Sequence, residues 1–291
     1  MSVFAAQVIN GIVIGSIYAL IVLGTNLLVV VRQVVHFGYA HIVMVSMAIG
    51  WLALSHTGEN LVVGIVTILL AGIAITILTE PLFRRLVERK SFLETVIVAQ
   101  GVAIILTDVV SHFFNKGVPM SFPQSLYGGG GMVRLGLVSF TWANVYVVAV
   151  GILAVVLLVY FLYRTRQGRA IRAMAQNTEV ARVLGIPFGK TGIYGFAVAG
   201  ILAGIVGVLM AMSIGSVSAE LGDSYAVKGM ILVLFAGMGN LKGGLISAVF
   251  MGIAESMAIY YLPGRWSQAV FFGVLMLVIL WRPQGLFGSR T

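Results

Sequence analysis

The chain has 291 residues, 60% of them hydrophobic and 9% charged, with a formal net charge of +9 and no cysteine. Soluble domains carry roughly 25% charged residues, so this composition excludes a soluble globule, and the missing cysteine excludes a disulfide framework or a thiolate metal site. Nucleic-acid binding is excluded too, because the basic residues sit in short loops between apolar stretches rather than on one soluble basic face.

A bilayer core about 30 Å thick needs about 20 predominantly apolar residues per helical crossing. Apolar stretches bounded by polar, Gly or Pro breaks fall at 4–30, 34–54, 61–79, 93–110, 141–163, 190–213, 225–240, 243–262 and 266–281. They predict an all-α, polytopic transmembrane helical bundle of about nine membrane helices, within a range of about eight to ten. No basic residue precedes Arg32, so the first stretch lacks the charged start of a cleavable signal peptide and is expected to remain in the protein. Two stretches stand apart as possible incomplete crossings. The one at 34–54 opens with His36, Gly38 and His41, and the one at 225–240 is short, carries Lys228 and ends Gly-Met-Gly-Asn.

Basic residues in short loops stay on the cytoplasmic side. Arg84, Arg85, Arg89 and Lys90 share one loop, and Arg164, Arg166, Arg169, Arg172, Arg182 and Lys190 share another. With Arg32, Lys242, Arg282 and Arg290, these predict an outside N-terminus and a cytoplasmic C-terminus. Lys116, Arg134 and Arg265 fall in loops on the opposite face. The longest outer segment, about 112–140, contains Pro119, Pro123 and Gly128 to Gly131, which predicts a flexible loop and leaves 1–291 as a single transmembrane domain. Small residues four apart at Gly11/Gly15 and Gly200/Gly204, followed by Gly207, predict close helix packing in lipid. The equal separations Gly11–Gly38 and Gly195–Gly222 suggest an internal repeat.

The segment 164–190 reads as two short helices outside the bilayer. Ala and Arg favour the first, over about 169–176. Asn177 can cap the second, Glu179 suits its N-terminal end, Arg182 its last turn, and Gly185 with Pro187 can terminate it. Such a hairpin is either a rigid knob gripped by another protein, its alanines allowing close approach, or a solvated loop that sets topology.

Gly168, Arg172, Ala173, Ala175, Asn177, Ala181 and Gly185-Ile186 resemble the ATPase-contacting loop of branched-chain amino acid ABC permeases of the LivH type. Three other features agree: Asn10-Gly11 with Gly15-Ser-Ile-Tyr-Ala-Leu20; Gly237-Met-Gly-Asn-Leu-Lys-Gly-Gly244 with Gly252-Ile-Ala-Glu255; and Arg282-Pro-Gln-Gly-Leu-Phe-Gly288. His36-Phe-Gly-Tyr-Ala-His41 departs from the family's Asn-Phe-Ala-His-Gly type of sequence. The resemblance implies a permease subunit of an ATP-driven importer for branched-chain, hydrophobic amino acids, with relatives of this general type carrying urea, amides or other small solutes. It also implies a second permease subunit, the same or different, two cytoplasmic ATPase subunits that hold the ATP and Mg, and an external solute-binding protein. The setting would be a bacterial or archaeal inner membrane. Gly168, Arg169, Arg172, Ala173, Ala175, Asn177, Ala181 and Gly185 would couple to the ATPases, and this chain would hold no cofactor.

Gly185-Ile-Pro-Phe-Gly189-Lys190-Thr191 fails as a phosphate-binding loop, because three residues rather than four separate its glycines. His36 and His41, five apart, would point about 140° from each other on a helix, and no third ligand follows the pair, so a metal site is not expected. Ionisable residues within membrane segments are costly and often functional, which singles out Asp108, Lys228 and Glu255. Asn10, Asn26, His36, His41, Asp108 and Glu255 are the candidates for the translocation path. An ion-gradient-driven secondary transporter is the rival that buried Asp108 and Glu255 would favour. No cluster of nucleophile, base or metal ligand supports an enzyme.

Overall fold

The computed structural model describes residues 2–34, 36–88, 92–114, 118–127, 131–135, 138–262, 266–282 and 285–287. Helix α1 (Ser2–Arg32) has 31 residues and spans about 45 Å at 1.5 Å per residue, longer than a hydrocarbon core of about 30 Å. At its end Gln33 adopts a φ of 56°, and α2 (Tyr39–His56) begins only at Tyr39. The Tyr39 hydroxyl donates to the Ala199 carbonyl at 2.8 Å, and its ring packs on Gly24, eight residues before the end of α1. The chain therefore turns back into the bundle before α2 starts, which is why the apolar stretch from 34 yields a helix five residues later than expected.

Helices α3 (Leu61–Glu88) and α4 (Phe92–Phe113) follow. The predicted end of α3 at 79 is too early: the helix continues through Pro81 to Glu88. Hydropathy stopped at Glu80, whose charge is compensated by a residue far away in sequence. The segment 112–140 is partly built instead of uniformly flexible. It contains β1 (Met120–Ser121), α5 (Gln124–Tyr127), β2 (Met132–Leu135) and β3 (Val138–Thr141). Strands β2 and β3 form a hairpin with Met132 opposite Thr141. Strand β1 pairs antiparallel with β4 (Ser216–Val217), a partner that local turn signals cannot reveal. Gly128 to Gly130 and Lys116 lie outside the described residues.

The second half comprises α6 (Trp142–Arg164), α7 (Arg166–Gln176), α8 (Thr178–Val183), α9 (Phe188–Ile214), α10 (Ala219–Ala236), α11 (Leu241–Tyr261) and α12 (Trp266–Trp281). Among the described residues, seven helices are long and apolar enough to cross a membrane: α1, α2, α3, α4, α6, α9 and α11. The other two predicted stretches are helical as well. Helix α10 carries Glu220, Asp223 and Lys228, and α12 has 16 residues.

Close glycine contacts organise the packing. Gly252 of α11 sits between Gly11 and Gly15 of α1, where an added Cβ would lie 2.5 Å from the Gly11 carbonyl oxygen and 2.4 Å from the Gly15 nitrogen. Gly72 of α3 sits in the same way against α9, 2.9 Å from the Gly200 oxygen and 2.7 Å from the Gly204 nitrogen. Side chains larger than hydrogen would separate these backbones, the small-residue interface that lipid-embedded helices favour. The order α1-α2-α3-α4 thus recurs as α9-α10-α11-α12, with the first helix of each half packed on the third of the other. Val31 and Arg32, ending α1, lie against Gly195 and Gly192, which open α9, so the two copies run in opposite directions. This is the inverted arrangement of many transporters. The glycine spacing that suggested a repeat was the wrong one: Gly195 matches no contact of Gly11, whereas Gly200 and Gly204 match Gly11 and Gly15.

Helix α1 is the core, with Tyr18 through Leu23, Leu27 and Leu28 all buried. Helices α3, α4 and α6 form an outer shell that exposes Leu70, Leu78, Ile97, Ile104, Leu153 and Leu157. Apolar side chains can face outward because hydrocarbon is the solvent.

Candidate functional site

Three structured regions carry the polar chemistry. The first is the hairpin α7–α8 at the end of the bundle where α1 and α3 finish. Thr165 caps α7 by accepting from the Gly168 amide at 3.0 Å, and its hydroxyl donates to the Phe161 carbonyl at 2.7 Å. Gly168, Ile171 and Met174 form the buried face of α7, and the exposed Arg166 and Arg169 form the wet one. Gly168 is packed so tightly that a Cβ would fall 2.1 Å from the Phe161 oxygen. Arg172 donates to the Leu162 carbonyl at 3.0 Å and lies over the Tyr163 ring. Asn177 caps α8, accepting from the Glu179 and Val180 amides at 3.0 Å each. Gly185, at φ 81°, reverses the chain so that the Ile186 amide reaches the Ala181 carbonyl at 3.0 Å. The left-handed conformation suits glycine there.

Of the residues assigned to coupling, Gly168 and Ala181 are buried within the chain, so they build the hairpin instead of contacting a partner. Ala173 and Ala175 are half-buried, and Arg169 and Asn177 are exposed. The outward tip belongs to residues the sequence reading passed over: Val183 and Leu184 are 87% and 75% exposed, with Val180 beside them. Their signal was an apolar pair closing a short helix that also carries Glu179 and Arg182.

Beside the hairpin root a buried ion pair joins α1 to α3. Arg32 of α1 donates to Glu80 of α3, and each residue is 1% exposed. The Arg32 guanidinium stacks 3.9 Å from the Phe188 ring, which Arg182 also covers at 3.9 Å, and Arg32 rests on the backbone of Gly192. Arg84 approaches Gly189. A groove of about 670 Å³, lined by Arg32, Glu88, Asn177, Glu179 and Arg182 among others, separates the hairpin from the ends of α1, α3 and α4.

The second region is inside the bundle. Tyr18 donates to Glu255 Oε2 at 2.5 Å, and Lys228 donates to Glu255 Oε1 at 2.6 Å. Lys228 is further enclosed by the Tyr18, Tyr225 and Phe271 rings at 5.5–6.0 Å. A carboxylate and an ammonium cancel each other where neither could stand alone. Glu255 is thus a tie between α1, α10 and α11.

Other path candidates separate in the same way. Asn26 accepts from the Gly239 amide at 3.0 Å, bracing the α10–α11 turn, in which Gly237 and Gly239 adopt φ of 89° and 79°. Asn240 caps α11 through the Gly243 amide at 2.9 Å and donates to the Phe287 carbonyl at 2.7 Å. The family-like motifs at 237–244 and 282–287 therefore dock on each other. Asp108 pairs with His112 at 3.0 Å, both well exposed, one turn apart near the end of α4. Asn10 is exposed and makes no hydrogen bond among the described residues. His36 is buried, lies with its ring 4.5 Å from that of Phe83 at a tilt of 48°, and has no hydrogen-bond partner for either ring nitrogen among the described residues.

The third region joins one predicted residue to one that was missed. His41 Nε2 lies 2.9 Å from Asp223 Oδ1. This pair borders a cavity of about 230 Å³ whose other walls include Phe37, Gln100, Val227, Met230 and Phe272. Asp223 lies outside the predicted stretch 225–240 because α10 starts at Ala219.

A family model described as "Branched-chain amino acid transport system / permease component" matches residues 7–280. The high-affinity branched-chain amino acid transport system permease protein BraD of Pseudomonas aeruginosa is 25% identical over 98% of this chain and 96% of its own. The corresponding protein LivH of Escherichia coli K12 is 27% identical over the same shares. A probable branched-chain amino acid transport permease protein LivH of Methanocaldococcus jannaschii is 24% identical over 93% of this chain and 87% of its own.

Proposed function

The chain belongs to the branched-chain amino acid transport permease family, and on that premise we propose that it is one permease subunit of an importer driven by ATP hydrolysed in separate partner subunits. It is a membrane permease with multiple spanning helices. In this reading two permease subunits enclose the path, two cytoplasmic ATPases grip the α7–α8 hairpins, and an extracytoplasmic binding protein delivers branched-chain amino acids. The ATP and Mg belong to the ATPases. The hairpin faces the cytoplasm of a bacterial or archaeal cell, and the N-terminus lies outside.

The observation that carries this reading is the exposed pair Val183 and Leu184 on a capped, internally packed hairpin. Apolar side chains held out into water beside Arg182 suit the groove of a partner protein. The hairpin meets the end of α1 through Arg182 and Arg32, which cover the same Phe188 ring, and Arg32 in turn pairs with Glu80 of α3, so a push on the tip reaches two helices of the bundle. Two discrete arrangements of those helices, biased by the nucleotide state of the ATPases, would alternate access.

Replacing Val183 and Leu184 together with Glu is expected to reduce co-purification of the ATPases at least tenfold while the amount of permease in the membrane stays unchanged. Undiminished co-purification would contradict the docking role. Because the chain has no cysteine, Val183→Cys supplies a single thiol for the orientation. An impermeant thiol reagent is expected to leave it unlabelled on intact cells and to label it once the membrane is opened. Labelling on intact cells would put the hairpin outside.

A further inference from the structure

Ionised groups among the membrane-level helices are mostly closed off by partners. Glu80 has Arg32, and Glu255 has Lys228 and Tyr18. Asp223 differs: its side chain is 65% exposed, and among the described residues its polar contact is the His41 imidazole, itself 3% exposed. Glu220, Asp223, Ser224 and Val227 are all exposed, and their spacing of three, four and seven puts them along one face of α10. Ionised side chains facing hydrocarbon are costly. That face therefore opens on water or on the second permease subunit, and the cavity beside Asp223 opens with it.

The cavity holds about 230 Å³, small beside the roughly 300–1,000 Å³ of drug-sized ligand sites, and so suited to a small solute. Its surface is predominantly apolar, built by Phe37, Val227, Met230, Ile231 and Phe272, with Asp223, His41 and Gln100 as the polar members. One carboxylate with a free oxygen beside an aliphatic and aromatic wall matches a molecule with an ammonium group next to a hydrocarbon side chain. Urea or an amide would leave the carboxylate uncompensated.

Resting on the permease reading above, we propose that this cavity is a transit subsite for the amino-acid zwitterion. Asp223, held in place by His41, takes the ammonium group, and the branched side chain lies on Val227, Met230 and Ile231. Gln100, an amide donor, is the residue of this chain suited to the substrate carboxylate.

The test uses the complete complex, with its ATPases and binding protein, reconstituted in sealed liposomes. Asp223→Asn is expected to lower leucine uptake about tenfold or more while ATP hydrolysis stimulated by the loaded binding protein is retained. Val227→Trp, which fills the cavity without altering the pair, is expected to lower uptake of leucine more than that of alanine. Wild-type leucine uptake by Asp223→Asn, or equal effects of Val227→Trp on both amino acids, would overturn the subsite and leave the permease reading standing. A wild-type complex that hydrolyses ATP but imports no branched-chain amino acid would overturn both.

Discussion

Glu80→Ala is expected to destabilise the protein by about 3–5 kcal/mol, the usual consequence of removing one partner from a buried ion pair. Arg32 would remain with its guanidinium pressed between Phe188 and Gly192, and its Nε and Nη1 already lack partners among the described residues. The loss is readable as a fall in the melting temperature of the detergent-solubilised protein and in its level in membranes. Replacing both partners, Arg32→Met with Glu80→Met, should keep much of the stability, because two neutral side chains of similar volume need no compensation. A single Glu80→Ala variant that melts with the wild type would show that the pair contributes nothing to the fold. The pair also lies where force from the hairpin enters the bundle, so a rescued double variant that binds the ATPases yet transports slowly would mark it as part of the transmission.

The second large effect is expected at Gly252. Even alanine there brings a methyl group within 2.5 Å of backbone atoms of both Gly11 and Gly15, and backbone cannot swing aside as a flexible side chain can. Overpacking a well-filled core costs typically about 1–3 kcal/mol, and Gly252→Leu should exceed that, because α1 and α11 must separate along their contact. Gly72→Ala should reproduce the effect at the matching contact of α3 with α9. Gly273→Ala serves as the control, since a Cβ there meets nothing within 4 Å. Melting temperatures that fall for Gly252 and Gly72 variants but not for Gly273→Ala would bear out the paired contacts, and equal melting of all three would refute them.

The difference between these glycines was not visible along the chain. Gly11, Gly15, Gly200 and Gly204 announce themselves by four-residue spacing, yet nothing along the chain marks Gly252 and Gly72 as their partners or sets Gly273 apart as a glycine without a close contact. The same holds for charges. Lys228 and Glu255 were each conspicuous as ionisable residues in apolar stretches, but their mutual contact, and that of Glu255 with Tyr18 across 237 positions, follows from how α1, α10 and α11 cross. Asp223 and Glu80 were overlooked because each lies at the margin of an apolar stretch, where a charge is ordinary. The caps of α8 were legible because Asn177 and Gly185 act on backbone groups two to four residues away. The exposed tip at Val183 and Leu184 was not, since an apolar pair is read as buried unless the neighbouring surface is known.

By itself the sequence determined that this protein lives in a membrane, roughly where its helices run, and that a basic capped hairpin interrupts them. A hydrocarbon solvent imposes those requirements on every crossing separately, through apolar length, backbone satisfaction and loop charge. Tertiary structure alone decided which ionised groups cancel and which remain open, which glycines touch, and that the two halves repeat in opposite directions. Those outcomes depend on residues brought together from distant parts of the chain, and an Asp closed by an Arg has the same letter as one left facing water.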